Sequence, residues 1–257
     1  MLPSPGEEAS DRGEPLTLEI NRDFYDALWA RSRLVSASRF NTWPLVASLL
    51  PTSPSRLEVA PGLRPRLPLE GTVFIDASEP AVAKLRDCGA DARIGIVSSL
   101  PLPDAAFDLV AAFDIIEHVD DDDGALAELE RVSRADATLL LSAPLHADRW
   151  TSFDDLVGHR RRYDPVALQA KLARFGWRVE ASAVYGMQPK SSRLLDWSVW
   201  QLRHRPDRAI WWYDRAILPI AALFQAKLVL TPGLMDTRAV DEVLLLCKRS
   251  PVFVAPR

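Results

Sequence analysis

Seven short apolar segments alternating with helical patterns predict an α/β protein built on a doubly wound, mainly parallel sheet. Three observations carry that expectation. Arg56-Leu57-Glu58-Val59 is a short apolar run that breaks into the turn Ala60-Pro61-Gly62, and Thr72-Val73-Phe74-Ile75-Asp76 is a second run ending in an acid. Residues 107–113 are apolar nearly throughout, as a strand covered on both faces must be. The seventh run, at residues 242–248, returns only after a long insertion, which permits it to enter the sheet antiparallel.

Residues 21–50 read as two helices leading into the sheet. Phe24, Leu28 and Leu34-Val35 recur at helical spacing, Phe40, Trp43 and Leu45-Val46 begin a second stripe, and Pro51 and Pro54 end it. Only nine residues separate Gly62 from Thr72, and Pro65 and Pro68 lie among them. A proline inside a helix costs about 3 kcal/mol, so the first crossover is expected to be a loop or a single turn. Ser78 and Pro80 open the next helix, with Val82 and Leu85 on its inner face and Gly89 after its end. Strands follow at 92–97 and 107–113. Asp120 to Asp123 then precede a helix carrying Leu126, Leu129 and Val132, and such acids are at home at a helix N-terminus. A strand at 137–143, a helix opened by Asp164-Pro165 and stopped by Gly176, and a strand at 178–185 complete the parallel part.

Composition bounds the rest. With 257 residues, 48% hydrophobic and 26% charged, the chain is ordinary for one large globular domain spanning 17–257, after a tail at 1–16 expected to be disordered. A net charge of -4 offers no basic face for nucleic acid. Two cysteines make no disulfide framework, so a reducing, cytoplasmic setting is expected, and no metal site is read. The insertion 189–240 is expected to be a helical cap. Its portion 189–230 holds four of the eight tryptophans and seven Lys or Arg against three Asp, a net of +4, leaving -8 elsewhere. Aromatic, cationic segments also suit a membrane surface or a homodimer interface, although the apolar run 216–230 falls short of the ~20 residues needed to span.

A strand, a glycine turn and a second strand closing on a carboxylate is the arrangement with which α/β sheets grip a nucleotide ribose. Glu58 and Asp76 are 18 positions apart, close to the spacing of about 20 that such grips use. Leu57-Glu58-Val59-Ala60-Pro61-Gly62, Phe74-Ile75-Asp76, Leu100-Pro101-Leu102-Pro103-Asp104-Ala105-Ala106-Phe107-Asp108 and Asp114-Ile115-Ile116-Glu117-His118-Val119 together resemble the class I S-adenosylmethionine-dependent methyltransferases, in the broad group that includes quinone and small-molecule enzymes. The resemblance covers about 56–180. It implies a Rossmann-like seven-stranded sheet with the last strand antiparallel, and S-adenosyl-L-methionine as cofactor.

By that resemblance Glu58, Ala60, Pro61 and Gly62 hold the methionine end, Asp76 and the adjoining Ala77 the ribose, Ser98 and Ser99 the adenine, and Phe113, Asp114 and His118 the amino acid portion. Two positions depart from the family. Ala60 and Arg64 stand in the outer glycine places, and Ile96 replaces the acid that binds the adenine amino group. Methyl transfer asks the protein only to align a nucleophile and remove its proton. Histidines beyond strand ends are admissible bases, which admits His118, His146 and, in the family-like loop Gly158-His159-Arg160-Arg161-Arg162-Tyr163, His159 with Tyr163. Arg161 and Arg162 are expected to hold an anionic acceptor by forked hydrogen bonds, and Trp43 to face it. The acceptor is expected to be small or lipid-like. A membrane-surface methyltransferase of a lipid or quinone, and a nucleotide-binding protein without catalysis, are the alternatives.

Overall fold

A computed structural model describes residues 14–186, 192–217, 220 and 225–249. The tail expected at 1–16 lies outside them up to residue 13, and Glu14 already opens helix α1 (Glu14–Arg31). A short helix α2 (Trp43–Leu49) follows, with Pro44 in its first turn where a missing N–H costs nothing. The sheet is then built from β1 (Arg56–Val59), β2 (Thr72–Asp76), α3 (Glu79–Asp87), β3 (Asp91–Ile94), β4 (Phe107–Ala112), α4 (Asp122–Val132) and β5 (Ser133–Pro144). After α5 (Ser152–Val157), α6 (Pro165–Arg174) and β6 (Trp177–Val184), the insertion supplies α7 (Ser192–His204) and α8 (Pro206–Trp212). β7 (Thr231–Pro232) and β8 (Glu242–Arg249) close the chain's sheet.

The strand order is β3-β2-β1-β4-β5-β8-β6-β7. β1 to β5 pair in parallel, while β8 runs antiparallel between β5 and β6. The doubly wound sheet with its reversed last strand is therefore present, with eight strands rather than seven. The extra one is a two-residue pairing of Thr231 and Pro232 with Ser182 and Ala181, too short to announce itself as an apolar run. β3 stops at Ile94, three residues earlier than expected, because Gly95 is wedged against Ile75 and Pro101 and the chain folds into a turn bridged between Ile96 and Ser99.

The first crossover contains no helix. Between β1 and β2 the chain is a loop pinned by Leu63 and Leu67, both fully buried, and by Glu58. Helix ends elsewhere follow local chemistry: Ser78 accepts from Ala81 N–H, Asp121 from Gly124 N–H and Asp164 from Ala167 N–H. α7 packs on α5 and α8, and α8 touches α1. Among the described residues no helix is long and apolar enough to cross a membrane.

Candidate active site

The turn after β1 is built from left-handed backbone, with φ of 55° at Ala60 and 53° at Gly62. Glycine adopts that conformation freely, whereas Ala60 holds it at a cost. Asp76 fastens the turn to β2: one carboxylate oxygen accepts Gly62 N–H and the other Ser78 N–H, each at 2.8 Å. Burial raises the Asp76 pKa to about 6, against the opposing pull of those N–H groups. The indole of Trp29 lies flat against Gly62, so close that a Cβ there would meet it at 2.2 Å. Tyr25 stacks on Trp29 and meets His118 edge-on, 5.7 Å between ring centres. Lys84 holds this end of α1 down, bonding the carbonyls of Trp29, Ala30 and Ser32 at 2.8 Å each.

Beyond the tip of β4 opens a cavity of about 810 Å³, within the range that holds a cofactor and a small molecule. Its floor carries Asp114, Glu117, His118, His159 and Glu242, its side Arg66 and Tyr185, and its roof residues of α7 and α8. Glu117 is fully buried, and neither carboxylate oxygen has a hydrogen-bond partner. Burial, then the nearby Asp114, pushes its pKa well up, and the same two causes act on Glu242. Burial and the adjacent His159 hold the His118 pKa down, to about 3. His159 Nδ1 lies 2.7 Å from Asp154 Oδ1. An ionised carboxylate only accepts, so Nδ1 carries the proton and Nε2 presents its lone pair, 3.8 Å from Glu117 Oε1.

Of the residues expected from sequence, Asp114, His118 and His159 line the cavity, and Ala60, Gly62 and Asp76 form the turn beside it. Glu58 lies outside the cavity lining and is turned into the β1–β2 loop. Both its oxygens bond the backbone N–H of Arg66 and one also that of Leu67, doing for the loop what a crossover helix would do elsewhere; burial raises its pKa to about 7. Pro61 is buried, Ala77 is exposed, and Phe113 packs in the core against Tyr185. Ser98 and Ser99 sit in the turn after β3, away from the cavity lining.

The loop 158–163 departs most from expectation. Arg162 is buried and forks onto Asp154 through Nε and Nη2, both at 2.8 Å. Arg161 bonds the carbonyls of Val119 and Asp120 and pairs with Asp122 at 3.0 Å. Tyr163 donates its hydroxyl within the core, where Ile116 O and Asp122 Oδ2 stand at 3.1 and 2.9 Å. These three brace the loop from behind, because buried or half-buried carboxylates claim the cations. His146 turns away on a left-handed backbone, φ 62°, with Nε2 2.8 Å from Thr237 O. Trp43 packs on the core under α2, and Phe40 faces the cavity instead. Arg64, in the outer glycine place, pairs with Asp214 at 3.4 Å and lies over the Tyr213 ring. Glu242, Asp154, Arg66 and Tyr25 were missed. Each lies in a stretch whose pattern is merely apolar or charged, without a motif.

The cofactor implied by the resemblance can be set against these groups. Its methionine end carries an ammonium and a sulfonium, and the cavity floor offers Asp114, Glu242 and the unpartnered oxygens of Glu117. Asp76 uses two of about four acceptor positions on the Gly62 and Ser78 N–H groups, leaving capacity for ribose hydroxyls. The residues fit, provided the Trp29 indole yields the face of Gly62.

A family model described as a methyltransferase domain matches residues 60–141. Ajmaline N-methyltransferase of Rauvolfia serpentina is 30% identical over 96 residues, 37% of this chain and 27% of that protein. A "probable S-adenosylmethionine-dependent methyltransferase" of Mycolicibacterium smegmatis is 33% identical over 112 residues, 42% of this chain and 44% of that protein. The chain thus spans less than half the length of the curated relatives it matches. Among solved structures, a Thermotoga maritima protein described as a "SAM-dependent methyltransferase, possible histamine N-methyltransferase" superposes with a TM-score of 0.52 over 93% of this chain and 94% of that one, at 16% identity. That likeness speaks for the fold, while the family-model match runs from the glycine turn through the strands that follow it. Residues 60–141 thus match a methyltransferase domain, and the chain shares its fold with an S-adenosylmethionine-dependent methyltransferase.

Proposed function

We propose that this chain transfers a methyl group to a small or lipid-like acceptor lying in the 810 Å³ cavity under α7 and α8. The observation that carries the proposal is the position of that cavity. It opens from the tip of β4, at the carboxyl edge where sheets of this kind bind ligands, and continues under the insertion. The cofactor, when bound, supplies a methyl already activated on sulfur. The chain's own task is placement and exclusion of water. Asp114 and Glu242 place carboxyl oxygens on the floor, acceptors for the ammonium group of the donor. Phe40, Phe153, Val157 and Val199 give the walls an apolar surface suited to a hydrophobic acceptor. Calorimetry with S-adenosylmethionine, its demethylated product and NAD tests the reading. Micromolar binding of the first two is expected, and binding of NAD alone would overturn it.

A second reading, that the enzyme works at a membrane surface, is favoured by one observation. Trp197, Trp200, Trp211 and Trp212 are each between 46% and 56% exposed on α7 and α8, beside Arg205, Arg208 and Arg215. Sedimentation with anionic vesicles separates the readings: loss of binding on replacing Trp211 and Trp212 supports the membrane form, and unchanged binding removes it.

A further inference from the structure

We infer that Glu117, His118 and His159 form a binding site for one divalent transition-metal ion, of the Zn²⁺ or Co²⁺ type, at the floor of the cavity. The three offer one carboxylate oxygen and two imidazole nitrogens, all within 4.8 Å of one another. In a zinc site with bonds of about 2.0–2.1 Å, tetrahedral ligand atoms stand roughly 3.4 Å apart, so the trio closes by at most about 1.4 Å to grip an ion. His159 Nε2 and Glu117 Oε1, at 3.8 Å, are most of the way there.

Two further observations point to a cation rather than to core packing. Glu117 is fully buried with both oxygens unpartnered, whereas the other buried carboxylates among the described residues, Glu58, Asp76, Asp122 and Asp154, are each held by several donors. A buried carboxylate left without donors is costly, and an ion supplies what the protein does not. Both histidines are also anchored from behind. Asp154 takes the Nδ1 proton of His159, and Asp154 is itself fixed by Arg162 and Thr151. His118 is held by a hydrogen bond to the Gly158 backbone. A carboxylate or carbonyl behind each ligating imidazole is the usual outer support of a metal-bound histidine. Two imidazoles and one carboxylate favour a borderline transition ion over Mg²⁺ or Ca²⁺, which prefer oxygen.

The trio contributes three ligands on one side, while the cavity lies on the other, so the remaining coordination positions face the acceptor space. The inference deepens the methyl-transfer reading, and rests on it in one respect only: an acceptor bearing a hydroxyl or a carbonyl oxygen would reach those positions. Lone pairs of His159 Nε2 cannot both take a proton and hold an ion. The geometry assigns Nε2 to the ion.

The test needs neither methyl donor nor acceptor, so its failure is distinguishable from failure of the proposed activity. The full chain is stripped with chelator and titrated with Co²⁺, followed by its visible absorption and by metal analysis after dialysis. One equivalent per chain with d–d bands of nitrogen–oxygen coordination is expected. Glu117→Gln, of the same shape, and His159→Ala should weaken Co²⁺ at least 100-fold, and Asp154→Asn, one shell out, about 10–100-fold. His204→Ala, on exposed α7, should bind as the parent does. No stoichiometric binding by the parent, or equal binding by Glu117→Gln and the parent, overturns the inference. If Glu117→Gln does not fold, melting of the parent decides: a rise in Tm with saturating Zn²⁺ supports the site, and an unchanged Tm overturns it.

Discussion

Arg162→Met separates a structural arginine from an acceptor-binding one. The guanidinium is 2% exposed and its partner Asp154 fully buried. The substitution removes two charge-assisted bonds at 2.8 Å and a weaker contact to Leu145 O at 3.4 Å. Removing one member of a buried pair costs about 3–5 kcal/mol, because the other charge stays behind. Asp154 keeps donors from His159 and Thr151, which argues for the lower end, about 3 kcal/mol. At roughly 2–4 °C per kcal/mol for a chain of this size, Tm should fall by about 6–12 °C. Urea titration checks this, with the midpoint shifting and the slope unchanged. A double variant adding Asp154→Leu should recover part of the loss, since no charge is then buried alone. Once folded at low temperature, the Arg162→Met protein should bind S-adenosylmethionine as the parent does. An unchanged melting curve with weakened binding of an anionic acceptor would refute the reasoning and return Arg162 to the role its motif suggests.

Other outcomes follow from the turn. Asp76→Asn should weaken S-adenosylmethionine by about 10–100-fold in calorimetry, the worth of hydrogen bonds to a charged acceptor; equal affinity would remove Asp76 from the site. Because burial raises the Asp76 pKa to about 6, its carboxylate is lost as pH falls through that value, so affinity at pH 5 should be about tenfold below that at pH 7.5. For stability the sign is opposite: a raised folded pKa contributes stability that is present at low pH and lost as pH rises through about 6. Gly62→Ala should destabilise by about 1–3 kcal/mol, from a left-handed φ of 53° and a Cβ placed 2.2 Å from the Trp29 ring. Trp29→Phe should reduce the change in tryptophan fluorescence that S-adenosylmethionine causes, since that indole covers Gly62, while Trp197 and Trp212 line the cavity farther on.

The sheet was legible because its information is local. An apolar run such as 107–113 admits few places but a covered strand, and Pro65 with Pro68 excluded a crossover helix. The turn was legible because glycine and acid appear at a spacing the backbone demands. The loop 158–163 was not, and the reason is physical rather than accidental. A motif displays which cations a loop carries, but the direction each one faces is decided by carboxylates elsewhere. Arg162 is captured by Asp154 eight residues upstream, and Arg161 by Asp122 on α4, 39 residues upstream. The same holds in reverse for Glu117: sequence places it after β4 and says nothing of donors. Its lack of them emerges only when the cavity, His118 and His159, 42 residues downstream, are seen together. Chemistry in such folds is concentrated where a charge fails to find its partner within the chain, and that shortage is a property of the assembled strand tips. Glu117 is where this chain leaves a shortage, and the metal titration asks whether an ion fills it.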